Sequence, residues 1–118
     1  MVNSRMIREL QRLGVQIEEF SVNAFRNEQA EVAIWSTPIY TSHLSWTLKF
    51  PPQDDESYQD LIKYVRIYRN DKFLGTTRTN RYFDEFAELK DQNTIEYKLE
   101  VVSVTLDILK TVSYGVYV

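Results

Sequence analysis

The sequence predicts an all-β fold, a seven-stranded antiparallel sandwich with a short N-terminal helix, and three observations carry that prediction. Beyond Gly14, apolar and polar residues alternate with a period of two along segment after segment, the signature of strands with one buried face. Turn signals interrupt these segments roughly every 8–12 residues, the spacing of a sandwich. The chain of 118 residues is 43% hydrophobic and carries eight Tyr, six Phe and two Trp, enough to build one core without metal or disulfide staples.

Residues 4–13 are the one helix candidate. Met6, Ile7, Leu10 and Leu13 recur at helical spacing, with Arg5, Arg8, Glu9 and Arg12 on the other side. Ser4 can cap the start and Gly14 can close the end. A helix of about three turns is marginal alone and needs something to pack on. Residues 1–14 are therefore read as a helical leader and residues 15–118 as the sandwich.

In the first strand Val15 and Ile17 alternate with polar residues, and Phe20, Val22 and Ala24 continue in the opposite phase. A phase change at Glu18-Glu19 implies a bulge or a switch between sheets. Residues 26–31 read as a turn, and 31–35 as a short apolar run interrupted by Pro38. Residues 42–50 give the clearest strand: Leu44, Trp46, Leu48 and Phe50 point one way, His43, Ser45, Thr47 and Lys49 the other. Pro51-Pro52 ends it, because proline cannot donate to a ladder, and polar residues 53–59 read as a loop. Val65 and Ile67 share one face of the strand 62–69, Tyr64, Arg66 and Tyr68 the other. Asn70-Asp71 makes a turn. Further strands are expected over 73–77, 79–83, 95–105 and 109–118, with a corner at 89–94. Tyr97, Leu99 and Val101 face the core, and Val112, Tyr114, Val116 and Val118 align on the last strand.

Composition excludes several functions. There is no Cys, so disulfides, thiolate metal sites and cysteine nucleophiles are out. A net charge of −3 supplies no overall basic field for nucleic acid. No apolar run reaches the roughly 18–20 residues of a spanning helix, so no membrane partner is expected. With three Gly, no glycine-rich phosphate loop exists. No signal-peptide core is visible, so the protein is either intracellular or a piece of a larger one. The abrupt strand at the C-terminus reads more like a piece, and an extracellular setting is favoured if that parent is secreted.

Four constellations could carry chemistry. His43 is the only histidine, which rules out a triad or a multi-histidine metal site, and its side opposite Trp46 makes it a surface residue. Asp54, Asp55 and Glu56 lack the glycine and distal Glu of a calcium loop. Asp84 and Glu85 could be paired as glycosidase acid and base, but a loop at the end of the fifth strand explains them. Tyr64, Arg66 and Tyr68, with Arg69, Arg78 and Arg81 on neighbouring segments, are residue types that anchor interfaces through large area and planar hydrogen bonding. The first three are the candidate partner-binding residues.

From Ser42 onward the landmarks resemble a fibronectin type III domain, an immunoglobulin-like sandwich. Leu44-Ser45-Trp46 is similar to the second strand with its core Trp, Tyr64 to Asp71 to the third strand and its turn, and Phe73-Leu74-Gly75-Thr76-Thr77 to the strand after it. Leu89 with Tyr97-Lys98-Leu99-Glu100-Val101 resembles the tyrosine corner and sixth strand, which implies that the Tyr97 hydroxyl bonds to backbone near residues 89–94. Residues 89–97 are longer than the pattern, and Asp91 or Gln92 stands in place of its Pro. The first 40 residues exceed what a first strand needs. They are an elaborated first strand plus helix, or the tail of a preceding domain.

Such a fold does not name a function. The residues point to a non-catalytic interaction or spacer module of a larger protein, with no cofactor and no catalytic or metal-binding residues. Its expected partner is a protein or a neighbouring domain of the same chain. The alternative is an accessory or carbohydrate-binding domain of a glycoside hydrolase.

Overall fold

The computed structural model describes residues 4–27, 39–50, 56–87 and 94–117. Two helices, α1 (Ser4–Leu13) and α2 (Glu56–Gln59), accompany seven strands: β1 (Gln16–Asn27), β2 (Ile39–Lys49), β3 (Ile62–Arg69), β4 (Lys72–Thr77), β5 (Arg81–Ala87), β6 (Thr94–Ser103) and β7 (Ile108–Tyr117). They form two antiparallel sheets, one of order β1-β2-β5 and one of order β4-β3-β6-β7. The fourth strand thus joins the third in the larger sheet, whereas the constant-type immunoglobulin keeps it beside the first, second and fifth.

Local chemistry explains that placement. Asn70 and Asp71 both adopt positive φ, 48° and 65°, the backbone of a type I′ hairpin, for which Asn and Asp are among the suited residues. The tight turn keeps β4 beside β3. Asn70 also bonds β6: its Oδ1 accepts from Glu96 N at 2.9 Å, and its own N donates to Glu96 O at 2.8 Å.

The phase change in β1 is a bulge. Its register against β2 shifts between Glu18 and Ser21, and Glu19 has φ 53°. One extra residue turns Phe20 inward, where its ring meets Trp46 edge-on at 6.4 Å. Gly14 closes α1 with φ 83°, its N donating to Leu10 O at 2.7 Å, as an αL C-cap does.

The core lies between the sheets. Leu44, Trp46, Leu48 and Phe50 enter from β2 and its end, Val65 and Ile67 from β3, and Ile95, Tyr97, Leu99 and Val101 from β6. The expected core set of Trp46, Val65, Ile67, Tyr97, Leu99 and Val101 is buried throughout, none more than 3% exposed. Ile7 and Leu10 bring α1 into the same cluster. Gln11 Nε2 ties α1 to Asp107 Oδ2 in the β6–β7 turn at 2.8 Å.

Four expectations are corrected. Residues 56–59, read as loop, form the helical turn α2, because Tyr58 is apolar enough to bury: it stacks on Phe50 at 6.2 Å and donates to Glu9 Oε2 at 2.8 Å. The fifth strand runs over 81–87 and not 79–83. Thr79 turns the chain instead, its Oγ1 donating to Arg81 O at 3.1 Å. Asp84 and Glu85 consequently sit within a strand. The Tyr97 hydroxyl does not make the tyrosine-corner bond, since its one proton goes to Asp84 Oδ2 at 2.7 Å. Residues 26 and 27 of the turn expected over 26–31 belong to β1, and Thr94 of the corner expected over 89–94 belongs to β6. The rest of those two segments, the run at 31–35, Pro38, Asp54 and Asp55 lie outside the described residues.

Candidate functional site

The alternation of β3 places Val65 and Ile67 inward and leaves Tyr64, Arg66 and Tyr68 half-buried on the outer face of the four-stranded sheet. The antiparallel register sets Glu100 of β6 opposite Arg66 and Lys98 opposite Tyr68, while Phe73 of β4 pairs Tyr68 from the other side. One carboxylate organises the row. Glu100 Oε1 accepts the Tyr68 hydroxyl at 2.7 Å and lies 3.6 Å from Arg66 Nη1. That bond raises the Tyr68 hydroxyl above the ordinary tyrosine range, with burial adding in the same direction.

Aromatic and cationic groups pack around it. Lys98 Nζ stands 4.4 Å from the Tyr68 ring centroid, within cation–π range, and 3.7 Å from Asp71 Oδ1. Phe73, 53% exposed, meets Tyr68 at 5.6 Å in a tilted edge contact. At the other end Arg66 and Lys63 each lie 5.8 Å from the Tyr64 ring. The structure therefore brings Tyr64, Arg66 and Tyr68 into one patch with two residues of β6 and one of β4. Arg78 and Arg81 are exposed and make no hydrogen bond, ion pair or ring contact with that row.

Arg69 leaves that patch altogether. It points between the sheets, where its Nη1 donates to Asp84 Oδ1 at 2.7 Å and Oδ2 at 2.6 Å. Its guanidinium lies 4.9 Å from the Phe86 ring. Asp84, 7% exposed, thus joins β5 of one sheet to β3 and β6 of the other through Arg69 and Tyr97. Burial first, and the bond to Asp84 second, raise the Tyr97 hydroxyl well above its usual range. Ser42 pairs Asp84 in the register, and its buried side chain acts on the Tyr97 hydroxyl against the effect of Asp84.

The outer face of the three-stranded sheet carries a second aromatic row. His43 is exposed as expected, and its ring bridges Phe25 at 5.3 Å and Phe83 at 4.5 Å, both edge-on. Phe83 is 64% exposed. The sequence signal for this row is the phase of β5: Arg81, Phe83 and Glu85 alternate with Tyr82, Asp84 and Phe86, and an aromatic residue stands in both phases.

No family model and no curated protein matches the sequence. Among solved structures, the chain is similar to part of the M60 catalytic domain of Clostridium perfringens ZmpC in complex with the sialyl T antigen. That similarity has 16% identity and a TM-score of 0.47, over 81% of this chain and 16% of that one. It is similar likewise to part of a Clostridium perfringens ZmpB structure holding CBM32-1, CBM32-2 and M60 catalytic domains, at 18% identity and TM-score 0.46, over 81% of this chain and 8% of that one. Similarity to a third chain, the ZmpB metallopeptidase of the same organism, has 16% identity and a TM-score of 0.43, over 82% of this chain and 14% of that one. Each likeness spans a small share of a much longer chain.

Proposed function

We propose that this chain is a non-catalytic, fibronectin type III-like module that binds a protein partner or a neighbouring domain of its parent through Tyr64, Arg66 and Tyr68. The observation that carries this is the Glu100-centred arrangement of β3. Two tyrosines and an arginine stand in a row above a core that does not need them, with Tyr68 and Arg66 oriented by one carboxylate. Side chains already fixed in place lose less entropy on binding, and Tyr and Arg lead the residue types at interface hot spots. Exposed Phe73 extends the patch with apolar area.

The candidate catalytic groups support a non-catalytic reading. Asp84 spends both carboxylate oxygens on Arg69 and one also on Tyr97, which leaves it no freedom as acid or base. His43 is set between two phenylalanine rings. Among the described residues no cluster of three His, Cys, Asp or Glu could hold a metal ion.

The test is substitution of Tyr64, Arg66 and Tyr68 each by Ala, followed by thermal unfolding and by binding to the adjacent domain of the parent protein. Each should weaken binding by more than about 1 kcal/mol while leaving the fold intact. Unchanged binding in all three variants would reduce this face to a solvated sheet surface.

A further inference from the structure

A cleft of about 520 Å³ opens at one edge of the sandwich, between the α2–β3 junction and the turn from β4 to β5. That volume falls within the roughly 300–1,000 Å³ of small-molecule sites. Its floor is apolar and includes Leu48 and Val65, both buried. Its rim is polar. β3 supplies Lys63 and Tyr64 and the β4–β5 turn Arg78 and Asn80, with Asp60 the single carboxylate among the described lining residues.

Two features distinguish this rim from an ordinary surface. Among the described residues Lys63 and Arg78 form no ion pair, so the described lining sets two cations against one carboxylate in a chain whose net charge is −3. The turn presenting Arg78 is also fixed in advance. Thr77 Oγ1 accepts from Thr79 N at 3.1 Å, the two threonine hydroxyls share a hydrogen bond of 2.8 Å, and Thr79 Oγ1 donates to Arg81 O at 3.1 Å. Asn80 O accepts from Trp46 N at 3.1 Å, which anchors the turn to β2. A turn so held presents its side chains with little ordering left to do.

We propose that this cleft binds an acidic saccharide, its carboxylate between Lys63 and Arg78 and its ring against Tyr64. A carboxylate answers the two cations, and hydrogen bonds to charged donors are the stronger kind. A purely apolar acid would make no use of the Asn80 amide on the rim. A small, wholly polar anion would leave the floor uncovered. A sugar acid offers a carboxylate, hydroxyls and an apolar C–H face together. This site is distinct from the protein-binding row, with which it shares Tyr64 alone.

The experiment is titration of the isotope-labelled chain with galacturonic acid, galactose and acetate, followed by amide NMR shifts. Galacturonic acid should move the signals of Lys63 and residues 78–80, with galactose at least about tenfold weaker, a margin of roughly 1.4 kcal/mol. Acetate should not reproduce the response. Lys63→Gln and Arg78→Gln should each erase the preference for the acid, and Tyr68→Ala, which removes part of the protein-binding row, should leave it unchanged. Equal response to galactose, no response to galacturonic acid, or the same shifts with acetate (an adventitious anion only) would each overturn the proposal. Those comparisons use the unsubstituted chain and stand even if a variant fails to fold.

Discussion

The Tyr97 hydroxyl donates to Asp84 Oδ2 at 2.7 Å across the interior of the sandwich, joining β6 of one sheet to β5 of the other. The same carboxylate holds Arg69 of β3. Three strands and two sheets therefore meet at one buried anion, and its neutralisation is geometric: removing Asp84 strands a buried guanidinium.

Asp84→Ala is expected to destabilise the chain by about 3–5 kcal/mol, the usual cost of leaving one partner of a buried ion pair alone. Arg69→Ala should cost a comparable amount. A double substitution of Arg69 and Asp84 by apolar residues of similar volume should recover much of the loss, since the pair's own net contribution is small. Denaturant unfolding of the two single variants and the double variant checks this. Strict additivity would show that the two side chains act independently.

Tyr97 makes the stability pH-dependent on the alkaline side. In the unfolded chain its hydroxyl ionises near the ordinary value of about 10. In the folded chain burial and the Asp84 carboxylate hold the proton well beyond that. The raised folded value means that the contribution is intact below about pH 10 and is lost as pH rises toward the folded value. Unfolding free energy measured across this range should fall less steeply for Tyr97→Phe than for the unsubstituted chain. Tyr68→Phe, which removes the raised hydroxyl on the outer face, is the comparison.

Trp46→Ala should cost about 3–5 kcal/mol, because the ring is 3% exposed at the centre of the core. Its buried Nε1 has no hydrogen-bond partner among the described residues, so Trp46→Phe deletes no bond seen there. That variant should lose less than half as much, the loss reflecting volume alone. Equal losses in chemical denaturation would contradict this.

Gly14→Ala tests the helix cap. A Cβ at Gly14 would meet nothing within 4 Å, so its cost comes from φ 83° alone. The expected loss is about 1–2 kcal/mol, with Gly14→Asn costing less because Asn tolerates this region better. No loss in thermal unfolding would mean that the cap does not hold α1 on the sandwich.

Much of this architecture was legible along the chain. The period-two alternation of Leu44, Trp46 and Leu48, and of Val65 and Ile67, identifies the inward faces, and those residues are all buried. The outward row of Tyr64, Arg66 and Tyr68 follows by the same parity. The phase change after Glu18 locates the bulge, because one extra residue must reverse every side chain that follows. Asn70-Asp71 locates the hairpin because few residues accept that backbone.

What tertiary structure alone decided is which polar groups meet. Arg69 reads as one more cation of the outer patch, and Asp84 as a loop acid, because a charge is expected outside. The inward phase of β5 is obscured because the charged Asp84 stands in it while Phe83 stands in the opposite phase. Only the pairing of β5 with β2 and the stacking of the sheets put Asp84 beside Arg69 and Tyr97, separated from it in sequence by 15 and 13 positions. Alternation is a property of one strand and is written in its residues. The neutralisation of a buried charge is a property of two sheets, and it exists only once they have packed.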